Sequence, residues 1–171
     1  MTLINAFEWL QSTDVATAIR EGDTLFPWIE CVHVLANTFV VGSIVAVDLR
    51  LLGWISRRRA FSRVYGEIVP LTWIAFVIAA VTGGLLFSSK AVLYAADLPF
   101  RLKAGLLLLA GINMVVFHLV TFRKVAAWDN ATPPPAAARL AGGLSLLLWI
   151  AVVASGRSIG YAMADIANCQ N

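Results

Sequence analysis

Residues 26–54, FPWIECVHVLANTFVVGSIVAVDLRLLGW, decide the fold. From Pro27 to Leu49 the stretch is mostly Val, Ile, Leu, Ala and Phe. A helix that crosses a bilayer needs about 20 apolar residues, and this run has that length. It nevertheless carries Glu30, His33, Asn37 and Asp48. Ionisable groups inside a membrane are costly and turn inward, so each is a functional candidate. His33, Asn37, Ile44 and Asp48 fall close to one stripe of a 3.6-residue helix. One face of this helix is therefore polar at several depths, and the rest of the chain is expected to cover it.

The composition agrees with a membrane protein. The chain has 171 residues, 60% of them hydrophobic and only 13% charged, with a mean hydropathy of +0.80. Soluble domains carry about 25% charged residues. The net charge of +3 is no nucleic-acid signature, because the basic residues cluster beside apolar runs, where they set membrane orientation. Cys31 and Cys169 are the only cysteines, which excludes a disulfide framework or a CxxC zinc site. A single Cys31–Cys169 bridge stays open, since both are expected towards the oxidising side.

Four spans are expected, at about 26–52, 67–89, 99–122 and 138–162. Residues 1–25 lack a basic n-region, and Glu8 and Asp14 interrupt any apolar core, so they do not read as a signal peptide. Leu3, Phe7 and Leu10 recur at helical spacing, which reads as a short amphipathic helix in the interface. Ser12, Thr13 and Asp14 offer caps for a second short helix that Gly22 ends. The expected organisation is an interfacial segment (1–25), a transmembrane domain (26–165) and a C-terminal tail (166–171). Short connections imply an all-α, up-down-up-down four-helix bundle. The linkers are Ser56–Gly66, Lys90–Leu98 and Lys124–Ala137, the last with Thr132 before three prolines. The first and third connections with their flanks hold eight of the thirteen Lys and Arg residues, including Arg57, Arg58 and Arg59. They are expected on the cytoplasmic side of a bacterial inner membrane, leaving both termini periplasmic.

Depth then sorts the polar groups at about 1.5 Å per residue. His33, Arg101, Lys103 and Arg157 lie towards the outer face with Glu30, and Asn37 lies deeper. Asp48 and His118 lie near the inner face, with Asn113 nearer the middle. Lys103 and Arg157 could simply snorkel to the headgroups, and Asp48 could pair with Arg50. His33 is short and sits deeper, so snorkelling does not explain it. The outer set is therefore expected to form a polar pocket of His33, Asn37, Arg101, Lys103 and Arg157. Asp48, Asn113 and His118 are expected as a second polar site. The strongest chemical option for the first is b-type haem: an imidazole from His33 ligates the iron, the bundle shields the macrocycle, and Arg or Lys pairs with the propionates. Both histidines on one haem are not expected, because they lie at opposite depths.

Trp28-x4-His33, followed by small and apolar residues and then Asp48-Leu49-Arg50-Leu51-Leu52-Gly53, resembles an uncharacterised family of small bacterial integral membrane proteins. Over roughly residues 26–122 the layout is also similar, more distantly, to the HemJ-type protoporphyrinogen oxidases and the CopD-type copper-resistance membrane proteins. In the HemJ type a first-helix histidine and a third-helix lysine are the hallmark polar residues and haem b is bound; His33 and Lys103 stand at those positions. That resemblance implies haem. The arginine-rich end of the HemJ-type first helix is only approximated by Asp48-Leu49-Arg50, so protoporphyrinogen oxidation does not carry over.

The leading expectation is thus a haem b protein passing electrons between a quinone and a periplasmic partner, or acting on a porphyrin. The alternatives are a structural subunit of a larger membrane complex, a small permease, or copper handling through Cys31, Met163 and His33. Thiolate and thioether suit Cu(I), but the chain has only three Met.

Overall fold

The computed structural model describes residues 3–56, 58–131 and 133–169, with side chains described as far as Tyr161. Arg57, Thr132 and the side chains of Met163 and Cys169 lie outside that range. The described chain is helical: α1 (Leu3–Gln11), α2 (Asp14–Glu21), α3 (Leu25–Leu51), α4 (Phe61–Ser89), α5 (Ala91–Ala96), α6 (Leu98–Val116) and α7 (Ala136–Cys169). A π turn (Phe117–Thr121) and a 3₁₀ turn (Phe122–Ala127) prolong α6. Four helices are long and apolar enough to cross a membrane: Leu25–Leu51, Phe61–Ser89, Leu98–Ala127 and Ala136–Tyr161. The chain is a multi-pass integral membrane protein in which consecutive spans run antiparallel.

Three helix boundaries have identifiable causes. α3 ends in a Schellman motif: Gly53 takes φ +77°, its N–H donates to the Arg50 carbonyl at 3.0 Å, and the Trp54 N–H donates to Leu49 at 2.9 Å. α6 begins at Asp97, whose carboxylate accepts the Phe100 N–H at 3.0 Å, with Pro99 in the first turn. α4 begins six residues before the expected Glu67, because it is capped from another part of the chain. The Asp129 carboxylate accepts the Ser62 N–H and the Ser62 hydroxyl, each at 2.7 Å. Pro70 therefore lies inside α4 and not near its start. The expected 90–98 linker contains α5, and α7 runs on through most of the expected tail to Cys169.

The spans pack as two hairpins, α3 on α4 and α6 on α7, joined by α3 against α7. α4 and α6 meet through side chains, Phe87 stacking on Phe100 with centroids 5.1 Å apart. Mid-bundle, Val40, Ala75, Ala110, Trp149 and Val152 form one core. A second core, of Val47, Leu51, Phe61, Phe117, Trp128 and Ala138, lies at the end of the bundle where α3 passes to α4 and α6 to α7. This is the loop end; the opposite end, where α1, α2 and α5 lie, is the termini end.

At the termini end α1 and α2 fold over the bundle. The Thr13 hydroxyl caps α2 by accepting the Ala16 N–H at 3.4 Å. Arg20 donates to the carbonyls of Gln11 (3.0 Å) and Ser89 (3.2 Å), tying both short helices to the C-terminus of α4, where a cation is favoured. Phe7 meets Phe87 edge to face at 5.8 Å, while Leu3, Ile4 and Trp9 stay exposed.

Candidate functional site

His33 faces α4 from the termini end of α3. Its Nδ1 lies 2.9 Å from the Ala79 carbonyl and 3.0 Å from the Thr82 hydroxyl oxygen. A carbonyl can only accept, so Nδ1 carries the proton. The Thr82 hydroxyl donates to the Ile78 carbonyl at 2.7 Å, which leaves its oxygen free to accept from His33 as well. Nε2 is then the bare lone-pair nitrogen, and it makes no hydrogen bond among the described residues. The ring fits because residue 83 is glycine: a Cβ there would stand 2.8 Å from His33 Cε1.

Lys103 of α6 is near enough to act electrostatically on His33. It lies over Gly156 of α7, where an added Cβ would be 3.5 Å from its Nζ. Lys103 forms no ion pair among the described residues. Neither Nε2 of His33 nor Nζ of Lys103 is sealed: the fully enclosed, unpaired side-chain atoms among the described residues are Asp48 Oδ2 and Arg50 Nη1.

The other residues expected beside His33 are placed differently. Asn37 donates to the His33 carbonyl of its own helix at 2.9 Å. Arg101 is exposed. Arg157 is exposed and lies over Tyr161 of its own helix, 4.9 Å from the ring centroid. These two arginines sit at the rim, so the described core of the site is His33 and Lys103. Gly156 serves the contact with Lys103, whereas a Cβ at Gly160, four residues on, would meet open space. Glu30 is exposed and stands near Tyr94; burial first, then the charges of Glu30 and Asp97, push the Tyr94 phenol above its ordinary range.

At the loop end the three residues of the second expected site make three separate contacts. His118 lies among Tyr65 and Phe122, with ring centroids 5.6 and 4.9 Å away, and its ring edge meets the Tyr65 hydroxyl at 3.3 Å. Asn113 donates to the Ala141 carbonyl of α7 at 3.1 Å. The Asp48 carboxyl interacts with the Ser145 hydroxyl. Asp48 does not pair with Arg50: the ion pairs among the described residues are Arg20–Glu21 and Arg59–Glu67. Tyr65 and Ala79, the α4 partners of the two histidines, are fourteen residues apart, about 20 Å along the helix. One haem cannot take both imidazoles.

Arg50 is the residue that depth counting undervalues. It is 1% exposed and donates to the Arg59 carbonyl through Nε (3.3 Å) and Nη2 (2.9 Å), and to the Asp129 carbonyl at 3.4 Å. Asp129 in turn caps α4, so Arg50 clasps both connections. Partial burial raises the Asp129 carboxyl, but the Ser62 N–H and hydroxyl, with Arg50 beside them, outweigh it and hold that group below the usual carboxylate range. Phe61, 0% exposed, packs on Trp128 with centroids 5.2 Å apart. The signal for this clasp was an arginine at the end of an apolar run followed by Gly53.

No group of three or more His, Cys, Asp or Glu that could hold a metal ion occurs among the described residues. Two grooves of about 470 and 330 Å³, sharing Leu35, Phe39 and Leu71, run along the outer face of α3 and α4 and are almost wholly apolar. They do not reach His33. Compared with known proteins, the chain matches no family model, no curated protein and no solved structure.

Proposed function

We propose that this is a multi-pass protein of a bacterial inner membrane that binds b-type haem at the termini end and acts in electron transfer or porphyrin redox chemistry. The observation that carries the reading is the hydrogen bonding of His33. Its Nδ1–H is spent on the Ala79 carbonyl. That is the arrangement by which a second-shell carbonyl fixes the tautomer of a ligating imidazole and raises its basicity. Bare, unsealed Nε2 is then the ligating atom.

A haem fits the residues better than a lone metal ion does. The macrocycle supplies the equatorial ligands, so a single imidazole is enough, and no cluster of three protein ligands is needed. Copper handling would need such a set; Cys31 is exposed two residues from His33, on the opposite side of the helix. Lys103, half-buried and without a carboxylate partner among the described residues, suits a propionate. When bound, haem supplies one-electron chemistry; His33 holds and orients it, Lys103 balances its charge, and the surrounding helices exclude water.

The orientation belongs to the same proposal. Arg58, Arg59 and Arg63 lie at the loop end, which supports a cytoplasmic loop end and periplasmic termini. A quinone or a periplasmic redox protein is then the electron partner. The test is the absorption spectrum of protein purified in mild detergent. A Soret band with α and β bands on reduction is expected; a featureless spectrum rejects the haem reading and promotes a structural subunit or small permease.

A further inference from the structure

Asp48 takes no part in that reading and stands independently of it. It lies three residues before the end of α3, about 5 Å inside the loop end, and is 4% exposed. Ser145 of α7 is its polar neighbour, and Oδ2 is fully enclosed with no hydrogen-bond partner. The charged and titratable groups on every side are engaged elsewhere or exposed. Arg50, about 200° further round α3, gives Nε and Nη2 to the Arg59 and Asp129 carbonyls, and its enclosed Nη1, without a hydrogen bond, forms no ion pair with Asp48. Glu67 of α4 is paired with Arg59, His118 meets Tyr65, and Arg139 of α7 is exposed. Asp48 also sits in the last turn of its helix, where the dipole disfavours negative charge.

A buried carboxylate with one neutral partner at the negative end of a helix needs a counter-charge. We propose that Asp48, with Ser145 beside it, binds a monovalent cation, a proton or a sodium ion, exchanged with the water at the loop end. The site is held by close packing. A Cβ at Gly142 would stand 2.9 Å from Leu51 Cβ and 3.1 Å from the Asp48 carbonyl oxygen, so only glycine lets α7 lie this near α3 and bring Ser145 to the carboxyl. Asn113, bonded to Ala141 one helical turn before Ser145, brings a further neutral polar group from α6 to this level.

The probe is dicyclohexylcarbodiimide, which modifies protonated carboxyl groups in apolar surroundings. It is applied to the full-length protein in detergent, with modification of Asp48 read by peptide mass spectrometry and Asp48→Asn as the blank. Modification that sodium chloride suppresses and potassium chloride does not assigns sodium. Modification that falls as pH rises, with no sodium effect, assigns a proton. Infrared difference spectra of wild type against Asp48→Asn read the same carboxyl without a reagent, and a band that moves with pH or sodium supports the site. Indifference to both pH and sodium in the two measurements together overturns it.

Discussion

His118 and His33 sit at opposite ends of one bundle, and their surroundings differ in kind. At the loop end, Asp48 apart, polar groups are spent on structure. His118 meets Tyr65 within a cluster of rings, Arg50 is buried against two carbonyls, and Asp129 caps α4. At the termini end, His33 gives up one nitrogen and keeps the other bare, and Lys103 lies beside it without an anionic partner among the described residues. The same residue type is thus enclosed by rings in one place and in the other presents a nitrogen without a hydrogen bond among the described residues. Burial alone does not separate them, since both histidines are half-buried. What separates them is the surroundings: His118 is enclosed by the rings of Tyr65 and Phe122 and meets the single Tyr65 hydroxyl edge-on, whereas His33 commits Nδ1 to a backbone carbonyl and turns Nε2 away from any hydrogen bond among the described residues.

The contrast predicts opposite responses to removing a cation at each end. Arg50→Met removes hydrogen bonds from a charged donor to two carbonyls, at about 1.5 kcal/mol each, so a loss of about 3 kcal/mol is expected. It is read as a lowered unfolding midpoint in detergent. Lys103→Met should change stability by less than about 0.5 kcal/mol, because it breaks no described hydrogen bond or ion pair. Equal losses in the two variants would erase the distinction between a clasp and an open site.

A smaller effect sharpens the termini end. Gly83→Ala places a methyl 2.8 Å from His33 Cε1 and should displace the ring from Ala79, at a cost of about 2 kcal/mol. Haem content should fall with it. Gly84→Ala adds a methyl in open space and serves as the control. If the two variants retain haem equally, the ring position is not what makes the site.

The smallest effect concerns the loop end. Asp129→Ala removes the cap on α4 and should cost about 1 kcal/mol. Because the folded carboxyl is held below its ordinary value, this contribution is complete above the unfolded pKa of about 3.9. It is lost as pH falls through the depressed folded value. Acidification should therefore narrow the stability gap between wild type and Asp129→Ala, and a gap that widens would reverse the sign.

The four spans were legible because long apolar runs leave little alternative to a membrane helix. The start of α4 was not, because the polar segment Phe61–Gly66 becomes helical only through Asp129, more than sixty residues away. For the site, depth was legible and rotation was not. Counting at a fixed rise brought His33 and Lys103 to one level, and in the fold Lys103 acts electrostatically on His33 while lying over Gly156 of α7. Counting also grouped Arg157 with them, yet one residue turns the helix by about 100°. Gly156 faces Lys103, and Arg157 points to the rim instead. Asp48 and Arg50 show the same limit two residues apart. Neighbours in sequence, they serve different helices, one meeting Ser145 and the other the connections between spans.

The central claim is that the bare nitrogen of His33 is the haem ligand while His118 is a packing group. The direct measurement is the reduced-minus-oxidised spectrum of His33→Ala beside that of His118→Ala, each purified as a monodisperse folded protein. The expected result is loss of the Soret, α and β bands in His33→Ala and their retention in His118→Ala. Bands that survive in His33→Ala, or that vanish only in His118→Ala, would contradict it.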